Sequence, residues 1–219
     1  MSIARSNWFE GWRLFAVLTL TLTALSLAIA GLRGFDVESI RMVIRFTART
    51  SLLFFCLAFS ASALARLWPN TWTRWQRRNR RYLGVTFAGS HGLHAIAIAA
   101  FAVMDPPGFM AATSAASYIF GGVGYSFIIA MTATSFDRTA QAIGPRAWRI
   151  LHLSGGYYVW FQFMVSFGRR VPGMPLYALF LIPLLAVIAV RLIAMASSRS
   201  GLSAFEKLDV ARGRSLHDM

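Results

Sequence analysis

Tyr82–Val103 reads YLGVTFAGSHGLHAIAIAAFAV, a run without one Asp, Glu, Lys or Arg. A helix rising 1.5 Å per residue needs about 20 apolar residues to cross a hydrocarbon core of about 30 Å. This run meets that length, so it reads as a membrane-crossing helix. Its one anomaly is the pair His91 and His94, set at the head of a stretch with no polar side chain beyond Ser90. Imidazoles are costly in such surroundings. Either they bond to backbone and neighbours as ordinary buried polar groups, or they hold a ligand.

The rest of the chain agrees with the run. The 219 residues are 57% hydrophobic and only 14% charged, against roughly 25% charged in an average soluble domain. Mean hydropathy is +0.55. A net charge of +14 suggests nucleic acid at first sight. The basic residues, however, lie between apolar runs and not on one soluble face, which is the pattern of membrane topology and speaks against a nucleic-acid partner. The single cysteine, Cys56, excludes an intramolecular disulfide and reads as a buried structural thiol.

Six apolar segments are expected: Leu14–Leu32, Thr50–Leu67, Tyr82–Val103, Ala115–Thr134, Ala147–Phe167 and Leu176–Ala196. Turn chemistry separates them at Gly31–Gly34, Pro69-Asn70, Asp105–Gly108, Gly144-Pro145 and Pro172–Pro175. The first segment mimics a signal peptide ending Ala28-Ile29-Ala30, but it exceeds the usual apolar length of about 7–15 residues and reads as a retained helix. The expected organisation is an all-α bundle of six spans over residues 14–196, between a cytoplasmic N-terminus (1–13) and a cytoplasmic tail (197–219). Orientation follows from charge: with the N-terminus inside, 16 Lys and Arg fall on the inner side and 6 on the outer. The richest stretch is RWQRRNRR at Arg74–Arg81.

Of four histidines, His217 lies in the polar tail, while His91, His94 and His152 lie in spans. The third and fifth spans run the same way. His152, seven residues past Pro145, sits about 10 Å in, and His91, nine past Tyr82, about 13 Å in. One ligand is expected to reach both. Zinc usually wants three or four protein ligands, which these spans do not supply nearby. Haem iron needs only axial imidazoles in an apolar bundle. Glycines at 84, 89, 92, 121, 122, 124, 155 and 156 offer room for a macrocycle. Arg80, Arg81, Arg138, Arg146 and Arg149 are available for its propionates. Against this, an intramembrane histidine also serves helix–helix bonding, and spaced glycines serve packing. Ser90 and Ser154 are candidate partners for the imidazoles, and Trp160, Phe161 and Phe163 read as core or lipid-facing.

The order of these features resembles the ferric reductase-like transmembrane domain superfamily, carried here by RRYLG at Arg80–Gly84, Leu93-His94 and GPRAWRILH at Gly144–His152. Within it, the form is most similar to the haem-binding membrane subunits of periplasmic methionine sulfoxide reductase systems. The resemblance implies a six-helix b-type cytochrome with haem ligands on the third and fifth helices. In the superfamily a second ligand commonly stands about 13 residues after the first on the fifth helix. Here that position is Val165, and Arg80 stands 14 residues before His94. A single haem b is therefore expected, bound by His152 and either His91 or His94. The implied activity is electron transfer across the bacterial cytoplasmic membrane. Electrons would pass from a separate flavoprotein or quinol on the inner side to an outer-side acceptor. The rival readings are a haem-carrying or structural subunit of a larger redox or photosynthetic complex, and a haem-free transporter or scaffold using the histidines as a proton relay.

Overall fold

A computed structural model describes residues 9–32 and 34–215 of the chain, with side chains as far as Ser197. His217 and Arg5 lie outside the described residues. Among those described there is no strand, and the elements are α1 (Gly11–Gly31), α2 (Val37–Leu67), α3 (Thr71–Arg78), α4 (Arg80–Met104), α5 (Pro106–Ala112), α6 (Ala115–Ala133), α7 (Asp137–Gly168), a 3-10 turn (Pro175–Tyr177) and α8 (Ala178–Ser215). Five helices are long and apolar enough to cross a membrane: α1, α2, α4, α6 and the stretch Pro175–Ser197. Leu20, Ile96, Val103, Ile129 and Ile182 are each more than 60% exposed. Such large apolar side chains facing outward fit contact with lipid.

The fifth expected segment does form a helix, as the second part of α7, but it is not among those five. His152, Gly155-Gly156, Tyr157-Tyr158 and Gln162 dilute its hydropathy. The expected break at Gly144-Pro145 is present as a kink: Gly144 takes φ 77°, and Pro145 opens the straight part. At Asp105–Gly108 the expected turn is instead a cap. Asp105 accepts from the Gly108 N–H, and the prolines occupy the first turn of α5, positions where a missing N–H costs nothing.

The larger departure is α2. The expected segment began at Thr50, because Arg41, Arg45 and Arg49 looked like an outer loop. The helix begins thirteen residues earlier, where Asp36 accepts from the Ser39 N–H at 2.7 Å. The arginines lie four apart on one stripe (Arg45 and Arg41 pair with Glu38), while Ile40, Val43 and Thr47 are buried. Periodicity therefore carries the helix through the charges.

The antiparallel α2–α4 pair forms the centre, with α1 against both, α8 on α2, α7 on α8 and α6, and α6 returning to α4. A hydroxyl seam joins α2 to α4. Ser90 Oγ lies 2.8 Å from Thr50 Oγ1 and 3.0 Å from Ser51 Oγ, and Thr47, Ser51 and Ser90 are all sealed from the surface. Interhelical bonds of this kind supply cohesion where lipid removes the hydrophobic drive. At the inner end Gln76 donates to the Leu57 carbonyl at 2.8 Å. The carboxamide of Asn79 accepts from Gly11 N–H at 2.9 Å, pinning the start of α1.

Candidate functional site

The hydroxyl seam fixes one imidazole. His94 Nδ1 lies 3.1 Å from the Ile44 carbonyl and 3.1 Å from Thr47 Oγ1. A carbonyl only accepts, so Nδ1 carries the proton and donates. The Thr47 hydroxyl uses its own hydrogen on the Val43 carbonyl at 2.7 Å and receives the His94 N–H as acceptor. The lone pair is therefore on Nε2, where no protein group takes it. Tethering one ring nitrogen to backbone is how proteins set the tautomer of a ligating or accepting histidine.

His91 lies one turn earlier, its ring 5.2 Å from that of His94 and 5.0 Å from Tyr125. Its Nδ1 is buried without a hydrogen-bond partner. Both histidines border a cavity of about 220 Å³, called outer after the orientation expected from charge, that also reaches Arg45, Arg49, Gln162 and Arg170.

His152 borders a different, inner cavity of about 410 Å³, with Arg77, Arg78, Arg80 and Arg81 on its rim and Phe55, Phe59 and Met131 among its apolar walls. Its ring stacks on Trp148 at 4.2 Å, and Trp148 Nε1 donates to the Thr134 carbonyl at 3.0 Å. His152 Nε2 lies 3.1 Å from Thr134 Oγ1. Since the Thr134 hydroxyl donates to the Ala130 carbonyl at 2.7 Å, Nε2 is the donor and Nδ1 holds the lone pair. The end of α6 thus clamps the imidazole of α7. On the rim, Arg81 pairs with Asp137 at 2.5 Å and also donates to the Ser135 carbonyl, while Arg80 donates to Ser62 Oγ at 3.3 Å.

The structure places His91 and His94 on one cavity and His152 on another, where one ligand was expected to reach His152 and one of the other two. His152 shares its cavity with Gly84 and Arg80 at the head of α4, two turns before His91. Ile128 borders both cavities. Phe55, Phe87 and Phe163, with centroids 5.5–6.2 Å apart, form a septum between them. Phe163 is thus core, as expected. Arg149 is exposed and lines neither cavity, and Arg138 and Arg146 are likewise exposed.

The glycines divide by role. Gly84 faces the inner cavity, and Gly121 and Gly124 the outer. Gly155 and Gly156 pack closely, since a Cβ there would come within 2.8 Å of Met131 Sδ and of the Phe59 ring respectively, and Gly156 also lines the inner cavity. Ser90 belongs to the α2–α4 seam and Ser154 bonds back to the Ile150 carbonyl, so neither orients an imidazole. Thr47 and Thr134 do so, and neither is near its histidine in sequence. Arg45 and Arg49 were hidden by the late start assigned to the second helix. Among the described residues no group of three or more His, Cys, Asp or Glu is placed to hold a metal ion. No protein-family model, no curated protein and no solved structure matches the chain.

Proposed function

We propose that the chain is a six-span, haem-binding membrane protein that carries electrons from the inner to the outer side of a bacterial cytoplasmic membrane. The observation that supports it most is the inner cavity: one imidazole, apolar walls and four arginines on the rim. Its volume, about 410 Å³, lies within the roughly 300–1,000 Å³ usual for small-molecule and cofactor sites. That donor set fits an apolar macrocycle with two carboxylates. A bound haem supplies a one-electron carrier whose potential is set by its axial ligand and burial.

The chain's own residues do the placing. Trp148 holds the His152 ring by stacking and Thr134 orients it through Nε2, so that this imidazole would hold the iron of a bound haem. Arg80 and Arg81 offer guanidinium groups for carboxylates, with Asp137 restraining Arg81. The septum of Phe55, Phe87 and Phe163 keeps water from running between the cavities. The sixth span is the part of α7 from Pro145 to Gly168, about 36 Å long at 1.5 Å per residue, with His152 on the inner cavity and Gln162 and Ser166 on the outer. Both termini lie on the inner side, by the excess of Lys and Arg there. The proposed donor is a separate flavoprotein or a membrane quinol, and the proposed acceptor is on the outer side.

The test uses the full chain purified in detergent. A b-type visible spectrum that sharpens on dithionite reduction is expected. It should fall at least about tenfold in His152→Ala, as expected when the sole axial imidazole of a site is removed, and persist in Arg149→Ala. A folded His152→Ala protein with undiminished haem would overturn the assignment.

A further inference from the structure

The outer cavity is left without a role by a haem on His152, and its lining is specific enough to name a ligand class. At about 220 Å³ it is smaller than the roughly 300–1,000 Å³ of cofactor pockets, so it suits a molecule on the order of ten heavy atoms. Its floor is an acceptor. His94 presents a bare Nε2 because Nδ1 is committed to the Ile44 carbonyl. The neighbouring His91 Nδ1 is buried without a partner, and an unmet buried polar atom is costly. The floor therefore calls for a hydroxyl that donates.

The walls are aromatic, with Tyr125, Phe163, Phe167 and Tyr177 around the space. Gly121 on α6 leaves it open, since a Cβ there would meet nothing within 4 Å. The rim is cationic. Arg45 has Glu38, but Arg49 and Arg170 form no ion pair among the described residues. Arg49 rests over the Phe180 ring at 5.3 Å, and Arg170 donates to the Ser166 carbonyl at 2.6 Å. Both guanidinium groups are exposed at the mouth of the cavity without a carboxylate partner among the described residues, and their planar fork matches a carboxylate.

We propose that the outer cavity binds a small hydroxylated aromatic carboxylate, its hydroxyl on His94 and its carboxylate at Arg49 and Arg170. The site stands on residues that the inner cavity does not use, so it holds or fails independently of the haem.

The experiment is calorimetric titration of the full detergent-purified chain with 4-hydroxybenzoate, benzoate and phenol, with haem content measured on the same samples. Saturable 4-hydroxybenzoate binding is expected. Benzoate and phenol should each bind at least about tenfold more weakly, a difference of 1.4 kcal/mol for each missing group. His94→Phe should erase the preference for 4-hydroxybenzoate over benzoate. Arg170→Gln should weaken both carboxylates and leave phenol unchanged, and this rim variant carries the test if His94→Phe does not fold. Absence of saturable 4-hydroxybenzoate binding to the folded protein, equal binding of the three probes, or an unaltered preference in the variants overturns the proposal. Haem content that falls in His94→Phe and not in His152→Ala would place the haem in the outer cavity and overturn it as well.

Discussion

The chemistry of this protein turns on where two imidazoles put their protons. His94 spends its N–H on a carbonyl and keeps Nε2 bare, whereas His152 spends Nε2–H on Thr134. The two are therefore not equivalent, and their nearest hydroxyls predict different outcomes. Thr134 competes with iron for His152 Nε2. Thr134→Val is expected to tighten haem binding about threefold, the equivalent of one intramembrane hydrogen bond of about 0.6 kcal/mol, read by haem titration of the apoprotein. Weaker binding would show that the orienting role of Thr134 outweighs its competition with iron. Ser90→Ala removes the bonds to Thr50 and Ser51 and should destabilise the bundle by about 0.6–1.7 kcal/mol, measured by denaturant unfolding. The three intramembrane histidines were legible in the sequence because an imidazole in an apolar run stands out. Their partners were not. Thr47 is 47 residues from His94 and Thr134 is 18 from His152, and a threonine among apolar residues is too ordinary to be noticed.

At the scale of the element, α2 and α7 carry the lessons. The start of α2 rests on Asp36, whose carboxylate takes the Ser39 N–H. Asp36→Ala is expected to cost about 1 kcal/mol, measurable by the same unfolding assay. Segment boundaries drawn by hydropathy stopped at Arg49, since a window average cannot see that three arginines share one stripe while the opposite face is buried. The kink in α7 was legible in Gly144-Pro145, because a glycine before a proline is strong turn chemistry. Gly144→Ala must hold φ 77° with a Cβ, at a cost of about 1–2 kcal/mol. The lowered thermal midpoint should come with a shifted Trp148 fluorescence, because the kink sets where Trp148 and His152 enter the inner cavity. Gly156 lines the inner cavity and is also the contact point for Phe59, whereas Gly155 serves packing against Met131. Which of two uses a small residue serves is decided by the neighbouring helix, and sequence does not display that neighbour.

On the scale of the whole molecule, the class of the fold was plain from composition and apolar runs, and five of the six expected segments are helices long and apolar enough to cross a membrane. What sequence did not convey is the division of the bundle interior. One lateral cleft between α4 and α7 is split by phenyl rings into an inner cavity rimmed by the basic stretch Arg77–Arg81 and an outer one rimmed by Arg45, Arg49 and Arg170. This split came from packing between four helices and has no local signature. The proposed electron path runs along it, from His152 through the septum toward His91 and His94. The central claim is one haem, held in the inner cavity by His152. The most direct measurement is the haem-to-protein ratio of the purified full chain, from its visible spectrum and a haem assay on the same sample. A ratio near one is predicted, and a folded, colourless protein would contradict the account.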